Sequence, residues 1–247
     1  MPRRKSPLTD ESIAPHQCST EVRLAILGKV SFFASLPPAA LGVVNARFRE
    51  QGFVPGETIY LAGDPAARLY VVASGQVKLL RHSLGGQDVL LDILAPGDLF
   101  GSLATLGNAR YAETAQALTA CCVLGVGADD FRGIVASHPD VALAVLDTLS
   151  GRLQAAHEQV RQLSAHPAEQ RLAHTLLALG DKLGRAKPEG LLIAMPLSRD
   201  DLAAMTGTTA ETASRVLSQF RKAGLIRSGR QWVAIVDRER LALLAAG

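Results

Sequence analysis

The spacing of apolar positions changes along the chain, and each change predicts a different kind of element. From Arg47 to about Val126 the apolar residues fall in short alternating or continuous runs: Thr58–Leu61, Leu69–Ala73, Gln76–Leu80, Val89–Leu94, Ala115–Leu118 and Cys121–Val126. Between them lie Pro55-Gly56, Gly63-Asp64-Pro65, Ser74-Gly75, Gly85-Gly86 and Pro96-Gly97, residue types that supply the backbone angles of tight turns. Many short strands punctuated in this way predict a compact β-barrel or β-roll. Ahead of it, Glu21 to Arg47 reads as short helices, with Pro37-Pro38 opening one of them. Residues 1–20 read as a loose tail.

From Pro139 the period becomes helical. Leu146, Leu149, Leu153, Ala156, Val160 and Leu163 follow one another in alternating steps of three and four, the spacing of a coiled-coil seam. Arg152, Gln154, Glu158, Gln159 and Arg161 surround this narrow stripe with polar groups. The seam points to a dimer; the alternative is a helix packed on its own domain. His166-Pro167 then breaks the run, because proline disfavours helix at the preceding residue, and predicts a hinge.

The last segment predicts a helix from Ala168 to about Leu183, a strand near Leu191–Met195, two short helices and a hairpin around Ser228-Gly229. That order is the outline of a winged helix-turn-helix. Ser198-Arg199-Asp200-Asp201 and Thr208-Thr209-Ala210-Glu211 each match a capping box, and Thr206-Gly207 supplies the break between the helices. By spacing, the second helix buries Ala213, Val216, Leu217 and Phe220 and turns Glu211, Ser214, Arg215 and Ser218 the other way. A second helix with a polar N-terminal face is what a major-groove reader needs. Arg215 suits guanine O6 and N7, Glu211 the cytosine amino group, and Ser214 a base edge or phosphate. Thr209, Arg221 and Lys222 suit backbone phosphates. A plainer role stands beside each: Glu211 as a cap paired with Arg215, and Arg215 as a solvated charge.

Charge distribution favours the first set of roles. Between Thr206 and Ile235 five basic residues (Arg215, Arg221, Lys222, Arg227, Arg230) face a single acid, Glu211, whereas from Arg47 to Arg132 seven basic residues meet nine acidic ones. The excess lies where a nucleic-acid contact would need it. At 247 residues the chain can build two modest domains. No apolar run approaches a membrane span, and no apolar signal core follows Met1-Pro2-Arg3-Arg4-Lys5, so the cytoplasm is the expected compartment. Three cysteines, Cys18, Cys121 and Cys122, lack the spacing of a disulfide framework. Cys121 and Cys122 would face opposite sides of a strand. They are expected to be structural, one buried and one half-exposed, with redox sensitivity as the alternative.

With these residues in view, Thr209-Ala210-Glu211-Thr212-Ala213-Ser214-Arg215 resembles the recognition helix of the Crp/Fnr superfamily in its Glu-x-x-Ser-Arg form. Gly97-Asp98-Leu99-Phe100-Gly101, after Pro96, resembles the family's Pro-Gly-Asp-x-x-Gly turn. Val54-Pro55-Gly56-Glu57 and Gly63-Asp64 resemble its early strand turns. The resemblance runs in order over about residues 24–245. It implies an α+β chain with a tail (1–20), a cyclic-nucleotide-binding-like, effector-sensing β-roll (21–138), a long dimerisation helix (139–166) and a C-terminal winged helix-turn-helix (167–247). It further implies a homodimer on two-fold symmetric double-stranded DNA, with RNA polymerase as a partner and an unidentified small-molecule effector. The recognition helix is similar to that of the fumarate-nitrate-reduction branch, which reads TTGAT-like half-sites. Ala210 stands where the cyclic-AMP receptor branch carries an arginine.

The sensor departs from the cyclic-AMP pattern. Around the implied effector pocket, Gly101 is followed by Ser102 where cyclic-AMP binders carry a ribose-binding Glu. Tyr111-Ala112 replaces their phosphate-binding Arg-Ser, with Arg110 one position off, and Ala156-His157 replaces the Thr-Ser that meets adenine. A phosphate without its guanidinium loses a strong bidentate contact, so cyclic AMP is not expected. Cys18 alone precedes the roll, and one thiolate does not hold an iron–sulfur cluster. Haem is left as an alternative, with His16, His82, His138 and His157 or the cysteines as ligands, against ordinary surface or core histidines. Two other functions compete with a regulator. A cupin-like metal oxygenase would need about three converging ligands, and the roll holds His82 with no second His near it. An architectural DNA binder would need no effector.

Overall fold

A computed structural model describes residues 18–247 except 83–87, 105–106, 108, 195–197 and 230. Residues 1–17 of the expected tail, with His16, and the Gly85-Gly86 turn lie outside the described residues; the last three tail positions are corrected, since Cys18 is buried, Ser19 caps α1 and Thr20 begins it. Two compact units emerge, one reaching Ala156 and the other starting at His157. The first opens with α1 (Thr20–Leu27), capped by the Ser19 side chain, and α2 (Pro38–Arg47), with proline at its first position.

Two antiparallel four-stranded sheets form the roll. One is ordered β1-β8-β3-β6, from β1 (Arg49–Phe53), β8 (Cys121–Gly127), β3 (Arg68–Ser74) and β6 (Leu99–Gly101). The other is ordered β2-β7-β4-β5, from β2 (Thr58–Tyr60), β7 (Thr114–Ala117), β4 (Val77–His82) and β5 (Asp88–Leu94). Alternation along β3 explains its continuous apolar run. Leu69, Val71 and Ala73 pack with α1, α2, α3 (Ala128–Ser137) and the start of α4 (Pro139–Ala165), whereas Tyr70 and Val72 face the other sheet. Gly75 turns the chain at φ +73°, and a Cβ there would collide with the Cys121 backbone.

β8 divides its two cysteines in the same way. Both are buried, Cys122 in the helix-side core and Cys121 in the roll interior. The expectation of one half-exposed cysteine is therefore corrected: Cys122 forms a disulfide with Cys18, whose Cα lies 6.5 Å away, and Cys121 is free. The pairing joins residues 104 positions apart, which cysteine spacing does not reveal.

The second unit starts with the last turns of α4. It continues through α5 (Ala168–Leu183), β9 (Arg185–Lys187), β10 (Gly190–Ala194), α6 (Arg199–Thr206), α7 (Ala210–Lys222), β11 (Ile226–Gly229), β12 (Trp232–Ile235) and α8 (Arg238–Ala246). Its sheet runs β11-β12-β10-β9, all antiparallel. Among the described residues, no helix is long and apolar enough to cross a membrane.

Candidate nucleic-acid interface

The helix pair α6–α7 is built by local chemistry. Ser198 caps α6: its hydroxyl accepts from the Asp201 amide at 3.0 Å, and Asp201 accepts from the Ser198 amide at 2.8 Å. Gly207 ends α6 in the left-handed conformation, at φ 58° and ψ 44°, where a side chain would be strained. The second cap differs from expectation. Thr209, not Thr208, is the N-cap of α7; its hydroxyl accepts from the Thr212 amide and donates to the Thr212 hydroxyl. Glu211 is thus not needed as the reciprocal partner.

Ala213, Val216, Leu217 and Phe220 form the buried stripe of α7, as their spacing predicted. On the other side Glu211 and Arg215 are exposed and Ser214 half-buried. No ion pair joins Glu211 or Arg215 to any described residue, and Arg221 and Lys222 lie exposed in the last turn of α7. Ser218 instead donates to the Ser214 carbonyl at 2.9 Å, which turns it back on the helix.

Two arginines were not singled out by sequence. Arg199, at the first position of α6, is half-buried, and burial followed by the Arg221 guanidinium lowers its affinity for the proton. The two guanidiniums therefore lie within electrostatic reach of each other. The signal is in the sequence, since Arg199 stands inside the Ser198–Asp201 capping box, but a capping box by itself marks only a helix start. Arg171 of α5 reaches three carbonyls, donating to Thr206 at 2.7 Å, Gly207 at 3.1 Å and His166 at 2.7 Å. It ties the end of α4 to the turn between α6 and α7, and Leu163 lies against Gly207 there.

The roll interior around the expected effector pocket is aromatic. Tyr60 stacks on Tyr111 with centroids 3.8 Å apart, and Tyr70 and Phe100 extend the stack. Tyr111 is buried, donating to the Arg68 carbonyl and accepting from the Arg68 amide, each at 3.0 Å. Tyr60 donates to Glu113 at 3.2 Å; burial, then the Glu113 carboxylate, push the Tyr60 phenol up. Burial, with Tyr111 beside it, pushes Tyr70 up to about 12. Gly101, at φ +78°, borders Tyr70 and Tyr111, while Ser102 is half-buried nearby in sequence. Arg110 and Ala112 are exposed, and Arg110 donates to the Gly63 carbonyl. The one-residue offset thus puts an aromatic ring, not a guanidinium, inside. Ala156 and His157 lie exposed on α4, and His138 caps the C-terminus of α3.

Comparison with known proteins finds a cyclic nucleotide-binding domain over residues 50–138 and a Crp-like helix-turn-helix domain over residues 170–244. The cyclic AMP receptor protein of Thermus thermophilus is 33% identical over 87% of this chain and 96% of its own length. The chain belongs to the Crp/Fnr family. Another Crp/Fnr relative, the CRP-like cAMP-activated global transcriptional regulator of Mycobacterium tuberculosis, is 29% identical over 88% of this chain and 97% of its own. The solved structure of FixK2 from Bradyrhizobium japonicum matches with a TM-score of 0.73 at 27% identity, covering 81% of this chain and 98% of that one. Such relatives are transcription regulators, not enzymes, so the oxygenase alternative falls. This Crp/Fnr chain is a DNA-binding transcription regulator with a cyclic-nucleotide-binding-type roll.

Proposed function

We propose that the chain is a homodimeric, cytoplasmic regulator that reads a two-fold symmetric site with TTGAT-like half-sites through Glu211, Ser214 and Arg215. One observation carries this reading. Glu211 and Arg215 are exposed on α7 without an ion pair to each other, opposite its buried stripe. Bases supply the partners they lack. Arg199, Arg221 and Lys222 meet backbone phosphates, and Thr209 meets one from the other end of α7, where it is the N-cap. The seam of α4 favours the dimer: Leu146, Leu149, Leu153, Val160 and Leu163 are exposed large apolar side chains, and Leu143 extends the row. The proposed boundaries are sensor 21–138, which Cys18, Ser19 and Thr20 join rather than the tail, dimer helix 139–166 and DNA-binding domain 167–247. Once on DNA, the dimer meets RNA polymerase.

The roll senses a signal other than cyclic AMP. Two relatives carry cyclic AMP in their names, but here Tyr111 faces inward and Arg110 is engaged with Gly63 at the surface. Arg215→Ala is expected to cost about 1–3 kcal/mol on the cognate duplex and much less on random DNA. Arg199→Gln is expected to weaken both equally and reduce the salt slope. Gel-shift titrations at several salt concentrations test both, and equal losses on both duplexes for Arg215→Ala would sink the reading role. An effector-independent architectural binder would hold its operator with the same affinity under every ligand and redox condition.

A further inference from the structure

We infer that the Cys18–Cys122 disulfide is a reversible thiol–disulfide switch that latches the N-terminal helix onto the sensor roll and thereby sets operator affinity. This rests on the DNA-reading function proposed above and names a signal for it. The bond lies where a latch would act. Cys18 immediately precedes the cap of α1, and Cys122 is the second residue of β8, opposite Gly52 of β1 and Ser74 of β3. Both belong to the core that packs α1 and the following Val30, Phe32 and Phe33 against Val141, Ala144 and Val145 of α4. Ser31 and Thr148 add a hydroxyl–hydroxyl bond at 2.9 Å between the same two regions. The disulfide therefore anchors the segment that braces the first turns of the proposed dimer helix. A disulfide in a reducing compartment is more often redox-sensing or catalytic than structural.

The chemistry is asymmetric and selective. Cys18 is 8% exposed at the chain's entry to the core, and Cys122 is 2% exposed within it. The thiolate of an external dithiol attacks Cys18 Sγ. The Cys18–Cys122 bond breaks, its electron pair goes to Cys122 Sγ, and that sulfur takes a proton. The second thiol of the reductant then displaces Cys18 as a thiol and leaves as the oxidised carrier. Oxidation is the reverse, with two electrons and two protons passing to a disulfide carrier. Cys121 does not compete, because it points into the roll interior, and exchanging the two sulfurs would require turning the strand over.

The test starts by selecting a binding site from random-sequence duplexes with the oxidised and the reduced full-length protein. Operator Kd is then measured across ratios of reduced to oxidised dithiothreitol. Acid quenching, thiol alkylation and intact mass read the bond in the same samples. Bond and Kd are expected to titrate with one midpoint, the reduced form binding about tenfold more weakly. Cys121→Ala should follow the wild type, and Cys18→Ser should hold the weak state at every ratio. The wild-type titration decides by itself if Cys18→Ser misfolds. Full alkylation of Cys18 and Cys122 in the oxidised sample overturns the switch. So does an unchanged Kd while the bond breaks. Failure of both forms to select any duplex would instead sink the DNA-reading proposal, whatever the bond does.

Discussion

Cys121 and Cys122 are adjacent, yet their surroundings give them different chemistry. Cys122 is spent in a disulfide, whereas burial and then the Glu57 carboxylate push the Cys121 thiol up to about 12. The folded state holds that proton at pH values where the unfolded chain has lost it. Its stabilisation is complete below an ordinary thiol pKa near 9.0 and is lost as pH rises from there to about 12. Urea unfolding is therefore expected to show stability falling across that interval. Cys121→Ala should reduce the slope by up to about 1.4 kcal/mol per pH unit. Tyr70 remains in both proteins, so the difference in slope isolates the thiol; equal slopes would show that Cys121 titrates normally. Residue identities were legible where a period exposed them, as for the α7 stripe and the Glu211–Arg215 face. The Cys18–Cys122 bond was not, because it depends on how α1 packs against β8, and no spacing encodes that.

Elements with a strong period were found from sequence, and those without one were missed. β1, Arg-Glu-Gln-Gly-Phe, has no apolar alternation because it is an edge strand held by backbone pairing to β8. β6 is three residues inside a turn motif, β9 is wholly exposed, and α3 and α8 each bury only two side chains. α8 does carry a local signal, the Asp237 side chain accepting from the Arg240 amide. The break at His166-Pro167 was legible, but not what spans it. Arg171 satisfies carbonyls at the ends of α4 and α6, groups a helix terminus otherwise leaves unbonded. Arg171→Gln is expected to destabilise the C-terminal unit by about 1–3 kcal/mol. It should also speed amide exchange at Thr208, which is bonded to the Ala203 carbonyl. Arg171→Lys should recover only part of the loss, since an ammonium cannot present the planar fork. Full recovery by lysine in thermal unfolding would mean that charge alone suffices.

At the scale of the whole molecule, the six-residue seam predicted from the three-four spacing has one more large neighbour, Leu143. Leu146, Leu153 and Val160 are 61%, 57% and 62% exposed in the single chain. That exposure argues against the alternative of a helix buried on its own domain. Covering each Leu is worth about 1.5–3 kcal/mol when complete, so two copies meeting along the stripe gain enough to associate. Leu149→Asp would place two facing carboxylates in the seam and is expected to give a monomer in sedimentation velocity, with unchanged far-ultraviolet circular dichroism because Leu149 is exposed in the chain itself. A monomer engages one half-site and forgoes the effective concentration that linkage supplies to the second, a loss of about 10²–10⁴-fold in operator affinity. Ser150→Asp, on an exposed position beside the seam, should do neither. A Leu149→Asp protein that stays dimeric would move the interface off this helix, and one that becomes monomeric yet keeps full operator affinity would remove the two-fold geometry from the account of DNA reading.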